Sequence, residues 1–125
     1  MGIEYRRLIA AAVAALVLAA VASPADAACS VTRFHFRFGQ TFPAQAEVGS
    51  GQSCGIVIRA GRGTVFRQIR IVEPAKHGTA TPRLTGVGYR SKAGYTGEDS
   101  FSFAVAGHSP DSDEPARVDV SVTVH

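Results

Sequence analysis

From residue 33 onward, apolar side chains recur at every second position, and no other feature restricts the fold of this chain as much. Phe34, Phe36 and Phe38 alternate with Arg33, His35 and Arg37, giving an extended segment one aromatic face and one charged face. Cys54, Ile56 and Ile58 repeat the pattern and turn Cys54 toward the isoleucine side. Phe101, Phe103 and Val105 alternate with small residues, while Val118, Val120, Val122 and Val124 alternate with Asp119, Ser121 and Thr123. Successive side chains of a strand point to opposite faces, so each run reads as a half-buried strand. The run from Val65 to Val72 is less clean. Arg67 shares a face with Ile69 and Ile71, and Arg70 shares one with Phe66 and Val72, which an edge position or a bulge would explain.

Turn residues separate these runs: Gly49-Ser50-Gly51, Gly61-Arg62-Gly63, Pro74 to Gly78, Gly86 to Gly88, Gly94 to Gly97, and an exposed loop from Gly107 to Pro115. No segment after residue 28 carries a 3.6-residue apolar stripe. Short strands punctuated by glycine turns predict an all-β sandwich or barrel of about seven strands. Residues 29–125 suffice for one core and leave no room for a second.

The first 28 residues differ in kind. Arg6 and Arg7 precede an apolar run from Leu8 to Ala22, followed by Ser23-Pro24-Ala25-Asp26-Ala27-Ala28. This predicts a secretory signal peptide cleaved after the Ala25-Asp26-Ala27 site. The run is shorter than the roughly 20 residues a spanning helix needs, which weighs against a membrane anchor and leaves no transmembrane segment in the mature chain. A cysteine just past a signal sequence can be acylated, but Asp26 occupies the place, three before Cys29, where a lipoprotein signal carries an aliphatic residue. Export to the periplasm or beyond places Cys29 and Cys54 where disulfides persist, and the two are expected to pair. The alternative is two separate thiols, with Cys29 at a fraying end.

Candidate chemistry is sparse. His35, His77, His108 and His125 stand in no recognised catalytic context, and no paired short spacing of histidines or cysteines suits zinc. No enzyme activity and no cofactor are expected. Calcium is the more serious metal: Asp111, Asp113 and Glu114 lie in one loop, and Glu98 with Asp99 would have to approach them in space to form a weak site. The plainer reading is a solvated acidic loop.

One set of residues goes further. Pro74, His77-Gly78-Thr79-Ala80, Tyr89, the run Gly94-Tyr95-Thr96-Gly97-Glu98-Asp99-Ser100-Phe101-Ser102-Phe103 and the closing valines to Val124 resemble the bacterial immunoglobulin-like, or cadherin-like, domain of exported and surface proteins. The resemblance spans residues 70–124 and implies an immunoglobulin-like sandwich. Pro74, His77, Gly78, Tyr89, Tyr95, Gly97, Asp99, Phe101 and Phe103 form its structural motif: Gly94 and Gly97 permit unusual backbone angles, Asp99 accepts bonds from nearby amides, and the phenylalanines enter the core. Relatives often continue into an Asp-Gly turn. Here Ala106-Gly107-His108 stands instead, so no calcium role of that aspartate carries over. The antibody pattern is also missing, because both cysteines lie in the N-terminal half and there is no tryptophan.

Charge is polarised along the chain. Between Arg33 and Lys92 lie ten basic residues (Arg33, Arg37, Arg59, Arg62, Arg67, Arg70, Lys76, Arg83, Arg90 and Lys92) against Glu47 and Glu73, whereas from Glu98 onward six carboxylates face only Arg117. Arginine suits carboxylate or phosphate recognition. A hairpin bearing Arg59, Arg62, Arg67 and Arg70 is the expected partner surface, unless the two halves simply neutralise each other. Nucleic acid is not expected for an exported chain. The expected function is a binding or assembly module for an envelope or surface protein. The alternatives are a module for acidic envelope carbohydrate and a purely structural domain with a weak calcium site.

Overall fold

The computed structural model describes residues 29–125, and the signal-peptide expectation for residues 1–28 lies outside the described residues. The valine run becomes the central strand of a five-stranded sheet. Eight strands form in all, with no helix among the described residues: β1 (Ser30–Val31), β2 (Thr41–Val48), β3 (Ser53–Val57), β4 (Val65–Glu73), β5 (Gly78–Arg83), β6 (Gly86–Ser91), β7 (Gly97–His108) and β8 (Ala116–Val124). One sheet has the order β1-β2-β8-β7-β4 and the other β3-β6-β5. The described residues form an all-β sandwich.

β8 pairs antiparallel with β7, setting Phe101 opposite Val120 and Phe103 opposite Val118. On its other side it runs parallel to β2 from Thr41↔Arg117 to Val48↔Val124. The alternation then buries one face of each strand. Phe101, Phe103, Val105, Val118, Val120 and Val122 meet Ile56, Val87 and Tyr89 of the second sheet in a single core. Full burial of side chains this size stabilises by about 1.5–3 kcal/mol each.

Three expectations change. Residues 41–48 form a strand where the sequence pattern leads to none, although Phe42, Ala44, Ala46 and Val48 keep period two. Small alanines and Pro43 obscure that run, and Pro43 is tolerated because β1 covers β2 only at Ala46 and Glu47. The strand expected at Phe34 to Phe38 does not form. Burial does alternate there, with Phe36 and Phe38 buried and His35 and Arg37 exposed, but the segment joins no ladder. Its rings instead pack with Phe42 and Phe66: Phe36 lies 5.6 Å from Phe66, edge on, and 5.9 Å from Phe42. Finally, Arg59, Arg62, Arg67 and Arg70 do not share a hairpin. β3 belongs to one sheet and β4 to the other, so residues 58–64 cross between sheets.

β4 has the irregularity its sequence suggested. It is an edge strand with register shifts between Phe66 and Gln68 and between Ile71 and Glu73, and these let Arg67 and Arg70 both face solvent. Cys29 and Cys54 are joined, their Cα atoms 5.1 Å apart, so the chain entering the five-stranded sheet is tied to β3 of the other.

Candidate functional site

The Asp99 motif forms a corner. Asp99 begins the buried part of β7 and is only 7 % exposed. Its Oδ1 accepts from the amides of Lys76 (3.0 Å) and Ser100 (2.9 Å), and its Oδ2 from the amide of His77 (3.1 Å) and the hydroxyl of Tyr89 (2.7 Å). One carboxylate thus joins β7, the crossing from β4 to β5, and β6. Around it, the Tyr89 ring stacks on Phe101, and Tyr95 lies flat on His77 with centroids 4.0 Å apart. Gly94 and Gly97, at φ +86° and +131°, make the turn into β7 that other residues resist.

Burial raises the Asp99 carboxyl, but the bonds from the Tyr89 hydroxyl and the Ser100, Lys76 and His77 amides outweigh it and leave the pKa below the ordinary value. The same burial, then the bond to Asp99, drives the Tyr89 phenol above its ordinary value. A carboxylate with four donors has no lone pair left for a substrate or a cation. This site holds the fold together.

The proposed calcium carboxylates do not converge. Glu98 and the loop that holds Asp111, Asp113 and Glu114 sit at opposite ends of β7, roughly 33 Å apart along the strand. Asp113 is engaged by His108 Nδ1, and Asp99 is committed at the corner. Among the described residues, no three histidine, cysteine or acidic side chains are grouped as metal ligands. A twelve-residue strand separates the two halves of the expected calcium set.

On the outer face of the five-stranded sheet, Arg117 bonds Asp119 through Nε (2.8 Å) and Glu73 through Nη2 (3.1 Å), while the Ser102 hydroxyl donates to Asp119 (2.7 Å). The Ser102 hydroxyl and the Arg117 guanidinium hold the Asp119 carboxyl below its ordinary value. The other carboxylate contacts to a basic side chain among the described residues are His108 with Asp113 and His125 with Glu47. None of the ten basic residues between Arg33 and Lys92 belongs to them. The two halves of the charge pattern do not neutralise each other through direct contacts.

Several of those cations border open ground on one side of the sandwich. A groove beside the residue 58–64 crossing is lined by His35, Arg37, Arg59 and Arg62 and closed by the β7–β8 loop, which contributes Asp111. A second groove runs alongside it between Val31 to His35 and the β3 residues Gly55 and Val57, with Arg59 at its end. The structure therefore brings Arg59 and Arg62 together and leaves Arg67 and Arg70 on the β4 edge. Arg33, His35 and Arg37 join the surface, beyond the residues expected there from the sequence. Their alternation with phenylalanine was the signal, since burying the rings fixes the charged residues outward. No family model matches the chain, and no curated protein matches it.

Proposed function

We propose that the chain is an exported, immunoglobulin-like binding or assembly module that contacts a protein partner in the cell envelope or at the cell surface, and that it does no catalysis. Export to the periplasm or the exterior is supported by the apolar run before residue 28 and by the Cys29–Cys54 disulfide, which persists in oxidising compartments. The immunoglobulin-like type is supported by strand order. With β2 to β8 lettered A to G, one sheet contains C-F-G and the other is B-E-D, as in immunoglobulin domains, with A lying parallel to G.

The observation that carries the binding reading is the set of cations without carboxylate partners among the described residues, three of which, Arg37, Arg59 and Arg62, line one groove. Clustered exposed arginines suit recognition of an acidic surface. The test is in-cell crosslinking of the tagged full chain in its native envelope, with mass spectrometry of what is captured. One enriched protein, lost from the triple variant Arg37→Ala, Arg59→Ala, Arg62→Ala, is the expected result. No enriched protein, or capture indifferent to the three arginines, defeats this reading.

A separate feature favours acidic carbohydrate as the second reading. On the outer face of the three-stranded sheet, Ser53, Gly55, Thr79, Thr81 and Gly88 line a shallow hollow bordered by Arg83 and Arg90. Salt-sensitive retention on an anionic glycan column, lost in Arg83→Ala with Arg90→Ala, would support it.

A further inference from the structure

The two sheets present four strand edges, and three are blunted against pairing. β1 is two residues long and the stretch of β2 it leaves uncovered carries Pro43, β4 carries two bulges with Arg67 and Arg70, and β5 carries Pro82 and Arg83. β3 has none of these devices: Ser53 to Ile58 contains no charge or proline, and its pairing with β6 is unbroken.

The register shows where the free groups of β3 point. The Ile58 amide donates to the Thr85 carbonyl and the Ser91 amide to the Gln52 carbonyl, on the same register as Cys54↔Tyr89 and Ile56↔Val87. Bonded and non-bonded pairs alternate in an antiparallel ladder, so Ser53, Gly55 and Val57 turn their N–H and C=O groups away from β6. No backbone group among the described residues bonds to them. Their side chains are also open: Val57 is 59 % exposed, and a Cβ on Gly55 would meet nothing within 4 Å.

Across the groove stands the segment Val31 to His35, drawn against β3 at one end by the Cys29–Cys54 disulfide and free of it beyond. Arg33, His35 and Arg59 flank this groove, Arg37 and Arg62 line the adjoining one, and Asp111 is the single acidic residue of the two linings. We infer that the β3 edge accepts an extended strand of a protein partner whose acidic side chains alternate with apolar ones. Its backbone satisfies Ser53, Gly55 and Val57, its carboxylates meet Arg33 and Arg59 on the exposed face, and its apolar side chains, turned to the opposite face, cover Phe34. A row of backbone donors and acceptors at strand spacing is matched by another strand, and the arginines select its charge. This deepens the protein-partner reading and rests on it.

The test is an NMR titration of the full chain after export with a blocked octapeptide of alternating valine and glutamate, and with its valine and lysine counterpart. Expected are saturable shifts and slowed amide exchange at Ser53, Gly55 and Val57 with the glutamate peptide, and binding about tenfold weaker or worse with the lysine peptide. Gly55→Pro removes an edge N–H and should abolish binding. Because proline can disturb the strand, Arg33→Glu with Arg59→Glu serves as the second variant, and it should reverse the preference to the lysine peptide. The inference is overturned by any of three results: slowed exchange of these amides before peptide is added, shifts mapping elsewhere or to neither peptide, or a preference indifferent to the charge reversal. In-cell capture separates the two readings. A partner held equally by wild type and Gly55→Pro leaves the binding module standing and removes the edge. Peptide binding at β3 with no captured partner does the opposite.

Discussion

At the Asp99 corner, four donors converge on one carboxylate, and three segments are held by it. Along the β3 edge, the backbone groups of three residues face outward with no backbone partner among the described residues, beside a row of arginines outside any ion pair there. Both regions join one sheet to the other, the first by a buried polar cluster and the second by a disulfide. The difference shows where each can change. A saturated buried cluster loses stability with any member removed, whereas an open edge accepts substitution on its outer side and stays free to pair.

The largest effect should come from Asp99→Ala, which strands the Tyr89 hydroxyl and the Lys76 and His77 amides; a loss of about 4 kcal/mol in urea unfolding is expected. A loss under about 1 kcal/mol would break the comparison at once. Replacing both Cys29 and Cys54 by serine should cost about 3 kcal/mol, measured against the oxidised protein, because a 25-residue separation is no longer closed in the unfolded chain. Tyr89→Phe removes one bond to a charged acceptor and should cost about 2 kcal/mol.

Titration sharpens the same contrast. The Asp99 pKa is lower in the folded protein, so its contribution is present above the unfolded value near 3.9 and is lost as pH falls through the folded value. Asp99→Asn should flatten that acid limb in a stability-against-pH series. Tyr89 has the opposite sign: its contribution is present below about pH 10 and is lost as pH rises toward the raised folded value, a limb that Tyr89→Phe should remove. The smallest effect belongs to the edge, where Gly55→Ala should change stability by no more than about 1 kcal/mol, in the stabilising direction.

How far each feature could be read in advance depends on how local its cause is. Phe101 and Phe103 were legible as core, as was the β4 irregularity, because alternation and its violation are written within a few residues. The run at Phe34 to Phe38 was half legible: the ring face is buried as expected, but a ladder also needs a neighbouring edge within bonding distance, and none is supplied there. β2 escaped notice because alanine carries too weak an apolar signal beside Pro43. Grouping Arg59 and Arg62 with Arg67 and Arg70, and Glu98 with Asp111, failed for one reason. Nearness in the sequence, or a shared charge, does not say which sheet a strand joins or which end of a long strand a residue occupies.

The sequence alone determined which side chains turn inward and that Cys54 lies on a buried face, because side-chain direction along a strand is a property of the local backbone. Only the tertiary structure decided that β2 lies parallel to β8, that Asp99 reaches Tyr89 across the sandwich, and that β3 keeps one edge open. Those outcomes depend on which distant strands compete for the same backbone groups, and that competition is settled by the packing of the whole chain.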